Sequence, residues 1–141
     1  MGADIHMYLE RSPIAKRRDE VISSLLGVEE SDIKANWELI ESDIFGCRNY
    51  DLFGKLANVR RRNGIIPLDE PRGVPKDASK DYLEEVNSWG RDGHSHSYFY
   101  LSELVKVDWT DISQEMEELV DRLKKENKDL DTIRIVFFFD N

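Results

Sequence analysis

The chain has 141 residues and a formal net charge of −9 at pH 7, with 40% hydrophobic and 35% charged residues. This size and balance fit one folded domain spanning 1–141, large enough to bury a core without staples, and exclude a disordered chain. The acidic excess excludes general DNA binding, because the phosphate field would repel it, and the lone Cys47 excludes an internal disulfide framework and points to a reducing, cytoplasmic setting.

Residues 1–10 hold Asp4, His6 and Glu10 and no apolar run, so no leader is expected. No stretch is apolar for long enough to span a membrane. In "ADIHMYLE" the residues Ile5, Met7 and Leu9 alternate with Asp4, His6, Tyr8 and Glu10, which predicts a half-buried strand with one polar face. Residues 11–36 are less periodic and read as an insertion, with a short helix from about Asp19 to Leu26 ended by Gly27. "WELIES" predicts a second strand.

"NYDLFGKLANVRR" carries Tyr50, Phe53, Leu56, Ala57 and Val59 near helical spacing, with Asn49 as N-cap and Gly64 ending the unit. Residues 63–79 hold three of the four prolines, a long loop of the kind more often functional than neutral. "KDYLEEVNSW" predicts a helix stopped by Gly90, and "HSHSYFYL" a strand. "DISQEMEELVDRLKKENKDL" places Ile112, Met116, Leu119, Val120 and Leu123 on one helical stripe, with Asp111 as the capping residue. The run "TIRIVFFFDN" predicts a central strand buried on both faces. The expected fold is α+β, with mixed α/β the other arrangement open. About four strands form one small sheet that includes both terminal strands, with three to four helices packed on it.

All three histidines sit in Asp-x-His or His-x-His pairs. Side chains two apart on a strand share a side, so Asp4 and His6 share one face, and His94 and His96 share another if their segment is extended. Together these four offer nitrogen and oxygen ligands suited to zinc or manganese. Arg48 and Asn49 stand at a helix start, where free N–H groups favour anions, and Arg72 sits on a proline-braced loop. Guanidinium forks match phosphate oxygens. Arg60, Arg61 and Arg62 read more simply as basic residues at a helix end. Trp89, just before the histidine segment, is the best candidate for a stacking wall, with Tyr50 among the other aromatics. Cys47 beside Arg48 is a lesser candidate nucleophile.

The motifs "GADIHMYLE", "RNYDLFGKLANVR", "PRGVP", "WGRDGHSHS" and "RIVFFFDN" resemble, in that order, a family of small, mostly uncharacterised proteins of phage and prophage genomes. The resemblance covers most of the chain outside about 11–36. It points to Asp4, His6, Arg48, Asn49, Tyr50, Arg72, His94 and His96. Ala3 stands where that family often has cysteine, so a thiol there is not essential in this chain.

Two functions follow as expectations. One is a phage accessory protein that binds a small phosphorylated or nucleotide-type ligand through His6, Arg48, Asn49, Tyr50, Arg72, Trp89, His94 and His96. The resemblance adds counter-defence capture of a signalling nucleotide in the host cytoplasm as its role. The other is a metal-dependent phosphodiesterase or hydrolase built on Asp4, His6, His94 and His96, in which metal-bound water attacks the phosphate. A homo-oligomer through residues 11–36 is a further expectation.

Overall fold

The structure, a computed structural model, describes residues 2–13, 36–62 and 64–140. The helix expected near Asp19–Leu26 lies outside them, as does most of the insertion-like segment. Among the described residues four strands form one antiparallel sheet: β1 (Asp4–Arg11), β2 (Glu38–Glu41), β3 (Gly93–Tyr100) and β4 (Ile133–Asp140), in the order β2-β1-β4-β3. The described helices are α1 (Tyr50–Ala57), α2 (Lys80–Trp89), the single turn α3 (Leu101–Leu104) and α4 (Gln114–Glu126). This is the expected α+β fold. None of these helices is long and apolar enough to cross a membrane.

β1 and β4 are adjacent over their whole length, from Asp4 opposite Asp140 to Arg11 opposite Ile133. β4 is central, and every residue from Ile133 to Phe139 is buried, because helices cover both faces of the sheet. On one face Ile5, Met7 and Leu9 join Ile135, Phe137 and Phe139 under α1 and α4, whose Leu52, Phe53, Met116 and Leu123 fill the larger core. On the other face Tyr8, Val136 and Phe138 meet Tyr82 of α2. The second face of β1 is therefore not simply solvated: Tyr8 is 3% exposed and Glu10 fully buried. Glu10 tolerates this because its carboxylate accepts from Arg134 Nε at 2.7 Å and from the Ser79 N–H at 2.7 Å.

Helix ends follow local side-chain chemistry. Asn49 Oδ1 accepts from Leu52 N–H (3.0 Å), and Ser79 Oγ from Tyr82 N–H (3.1 Å). At α4 the cap is Ser113, whose Oγ accepts from Met116 N–H at 3.1 Å, rather than Asp111, which lies in the preceding turn at φ +67°. α1 stops at Ala57, short of Gly64, because Asn58 takes the left-handed conformation and returns its N–H to Gly54 O. Arg60, Arg61 and Arg62 thus follow the helix rather than end it. The 63–79 loop is fastened to the domain: Leu68 N–H donates to Lys55 O and Gly73 N–H to His96 O, each at 2.8 Å. The latter contact lies against β3, an outer strand of the sheet.

Candidate functional site

Three strands and the end of α2 bring an aromatic row to one rim of the sheet. His6 of β1 lies directly opposite Phe138 of β4, and their rings stack at 5.0 Å and 21°. His96 of β3 stacks on Phe138 from the other neighbouring strand, at 5.2 Å and 28°. Trp89, the last residue of α2, closes on His6 with ring centroids 4.5 Å apart. Gly93 lets the strand pass beside these rings, since a Cβ there would sit 3.2 Å from Phe138 Cδ2 and 3.4 Å from Trp89 Cβ.

His6 Nε2 and Asp140 Oδ2 are 2.5 Å apart, with side chains 20% and 18% exposed. The pairing follows from the register: Asp140 lies two residues beyond Phe138 on the same face, a diagonal neighbour of His6. A carboxylate on one ring nitrogen fixes the imidazole's orientation and leaves Nδ1 for other work. Asp140 was visible in the sequence as the polar end of a buried run, but only the strand pairing links it to His6. Phe138 gave no signal beyond its place in the core.

Asp4 shares the face of His6 and holds Arg48 in a two-point contact, Arg48 Nε to Oδ1 at 2.6 Å and Nη2 to Oδ2 at 3.1 Å. The guanidinium keeps the Asp4 carboxyl below its ordinary range, and the carboxylate raises Arg48 in return. Both side chains are about half exposed. Gly2 makes this possible, because a Cβ there would lie 2.3 Å from Arg48 Nη1. Tyr50 Oη completes the patch, accepting from Ala3 N–H at 3.3 Å.

His94 and His96 do not share a face. A bulge lies between His94 and Ser97, and Ser95 has φ +54°. The extra residue turns His94 onto Phe139, with rings 6.2 Å apart, on the α1 side of the sheet, while His96 meets Phe138 on the α2 side. The set Asp4, His6, His94 and His96 is therefore not assembled around one point: the Phe138 ring stands between His6 and His96, and His94 faces away. Ligands about 2.0–2.2 Å from one ion cannot span an aromatic ring. Among the described residues no three His, Cys, Asp or Glu side chains are grouped to hold a metal.

Arg72 and Asn49 are committed to structure. Arg72 donates Nη1 and Nη2 to the Glu103 carboxylate (2.8 and 2.7 Å), Nε to Asp69 (3.0 Å) and Nη1 to Tyr98 O (3.2 Å). Its guanidinium lies 4.3 Å from the Phe99 ring centroid. It ties the 63–79 loop to β3 and α3 and does not reach the His6 row. Asn49 caps α1 with its oxygen and donates Nδ2 to Ile112 O at 2.7 Å.

His96 carries the unusual electrostatics of the row. Its Nε2 is buried without a hydrogen-bond partner among the described residues. Burial first, and the charge of His94 second, push its pKa below the ordinary histidine value. The fold thus prefers the neutral ring, and as pH falls the unfolded chain takes up this proton first. Stability from this site is present above the unfolded value of about 6.5 and declines as pH drops through the lower folded value. In His96→Gln the urea midpoint should fall less than in the parent between about pH 7 and about pH 5. Equal falls would show that this imidazole is not the source.

Comparison with protein-family models, with curated proteins and with solved structures finds no significant match.

Proposed function

We propose that the chain binds a small nucleotide-type ligand at the rim formed by Trp89, His6, Asp140, Asp4 and Arg48. The observation that carries this reading is the partly buried Trp89–His6–Asp140 cluster at the sheet rim, about one-fifth exposed at His6 and Asp140, beside a surface-exposed guanidinium fork. A nucleotide has the matching parts. Its base is planar and can stack on Trp89 and His6. The base's N–H edge suits the Asp140 carboxylate, and its phosphate suits Arg48. Asp4 occupies Arg48 in the free protein, but such exposed ion pairs contribute little and are readily exchanged for a phosphate. Arg72 holds the loop that braces β3 at His96, so its part is positional. Resemblance to small phage proteins puts counter-defence capture of a host signalling nucleotide within this proposal, with binding rather than turnover as the activity.

The test is calorimetric titration of the chain with mononucleotides and cyclic dinucleotides. Trp89→Ala and Arg48→Ala should each weaken binding by about tenfold or more, as loss of a stacked base or a charge-assisted contact does. Asp4→Asn should tighten it, because Arg48 is released. Absence of binding across the panel, or binding indifferent to all three changes, would refute the proposal. Chromatography of the recovered nucleotide separates capture, which returns it intact, from hydrolysis.

A further inference from the structure

Asp140 ends the central strand, and the strands on either side leave its carboxylate uncrowded. Opposite it on β3 stands Gly93, which has no side chain. Opposite it on β1 stands Asp4, whose carboxylate is drawn into the two-point contact with Arg48. Among the described residues the hydrogen-bond partner of Asp140 is His6, which meets Oδ2. A carboxylate only accepts, and its two oxygens offer about four lone-pair positions, so most of that capacity remains once His6 has taken one. Trp89 borders the same opening, with its Cβ 3.4 Å from where a Cβ on Gly93 would stand. Arg48 lies within electrostatic reach: Asp4 first, and then Tyr50 and Asp140, raise its pKa.

Building on the nucleotide reading of this same rim, we propose that the bound base is guanine and that Asp140 selects it. The reason is the acceptor-only character of the carboxylate. Guanine presents N1–H beside its 2-amino group, two parallel donors at the spacing that the two oxygens of a carboxylate accept together. The other bases do not. Adenine sets its amino group beside the N1 lone pair, and cytosine sets its own beside the N3 lone pair, so each brings an acceptor against a negative oxygen. Uracil offers one N–H between two carbonyl oxygens. A buried or partly buried polar group left facing the wrong partner loses its hydrogen bond without regaining water, which makes such sites discriminating. The ribose and phosphate leave from the far edge of the base. Arg48, 55% exposed on a long side chain, can meet the phosphate there. Gly93 serves the same end, since a side chain at that position would stand beside the Asp140 carboxylate where the base edge must enter.

The experiment is calorimetric titration of the full chain with GMP, IMP and AMP, and with cyclic di-GMP and cyclic di-AMP. In either phosphate form the guanine ligand should bind more tightly than its adenine counterpart. IMP keeps N1–H but lacks the 2-amino group, and should bind about tenfold or more weakly than GMP, as loss of one charge-assisted hydrogen bond does. Asp140→Asn keeps an oxygen for His6 and for N1–H but turns an amide N–H toward the position of the 2-amino group. GMP should then lose about tenfold or more. XMP, which carries a carbonyl oxygen at that position, should bind the variant better than the parent, a gain that misfolding cannot produce. Equal affinity for guanine and adenine ligands, or an unchanged preference in Asp140→Asn, would overturn the guanine assignment and leave nucleotide binding itself standing. Binding of none of these ligands would overturn both.

Discussion

Replacing Arg134 by methionine is expected to destabilise the fold by about 3–5 kcal/mol, measured by urea unfolding. The reason lies in what remains behind. Arg134 and Glu10 are 1% and 0% exposed and face one another across β4 and β1. Without the guanidinium, the Glu10 carboxylate is left buried with only the Ser79 N–H among the described residues, far short of what an ionised group needs away from water. Arg134 also donates to Asp77 Oδ1 at 2.9 Å and lies 3.9 Å from the Trp37 ring centroid. It therefore joins the central strand to the start of α2 and to the segment leading into β2. The companion measurement is the double variant Arg134→Met with Glu10→Leu. Removing both charges removes the orphan, so the double variant should recover most of the loss and remain below the parent by about 1–3 kcal/mol, the scale of an unsatisfied Ser79 N–H. A double variant as damaged as the sum of its singles would show that the two residues act independently.

The parts of this fold legible in the sequence are those with a strong local period. The unbroken apolar run Ile135–Phe139 of β4 predicts burial on both faces because a one-sided strand would alternate, and the Met116, Leu119, Val120, Leu123 stripe predicts the inner face of α4. What could not be read depends on pairing between distant segments. His6 and Asp140 are 134 residues apart, and only the β1–β4 register makes them neighbours. Alternation put Glu10 on a polar face, yet a partner 124 residues away allows it to be buried. Arg72 looked free because Glu103, 31 residues on, is not a local partner. The His94–His96 reading failed for a different reason. It required a regular strand, and Ser95 adopts a positive φ with no glycine to announce it. One added residue in the ladder then exchanges the faces, which converts an apparent ligand pair into two separate ring contacts.

Phe138→Ala should cost about 3–5 kcal/mol and, in addition, disable the rim. The ring is fully buried on the central strand and contacts the rings of His6, Tyr8, Tyr82, Trp89 and His96. Its removal leaves a cavity between three strands and α2 that β-sheet backbone, fixed by hydrogen bonds on both sides, cannot close. A loss of that size is a large share of the roughly 5–15 kcal/mol that holds a domain together. Phe138→Leu separates the two consequences. It keeps much of the volume and should leave the chain folded, with a smaller drop in the urea midpoint, but it takes away the flat surface against which both imidazoles stack. Under the binding proposal this milder variant still loses affinity for nucleotide, because His6 and Trp89 no longer share a rigid platform even though Asp140 is untouched. If Phe138→Leu instead binds as the parent does, Phe138 serves only the core, and the stacking surface must be carried by Trp89 and His6 alone. The stronger result would be an unchanged urea midpoint in Phe138→Ala, which would contradict the packing of α2 on β4 from which the rim is built.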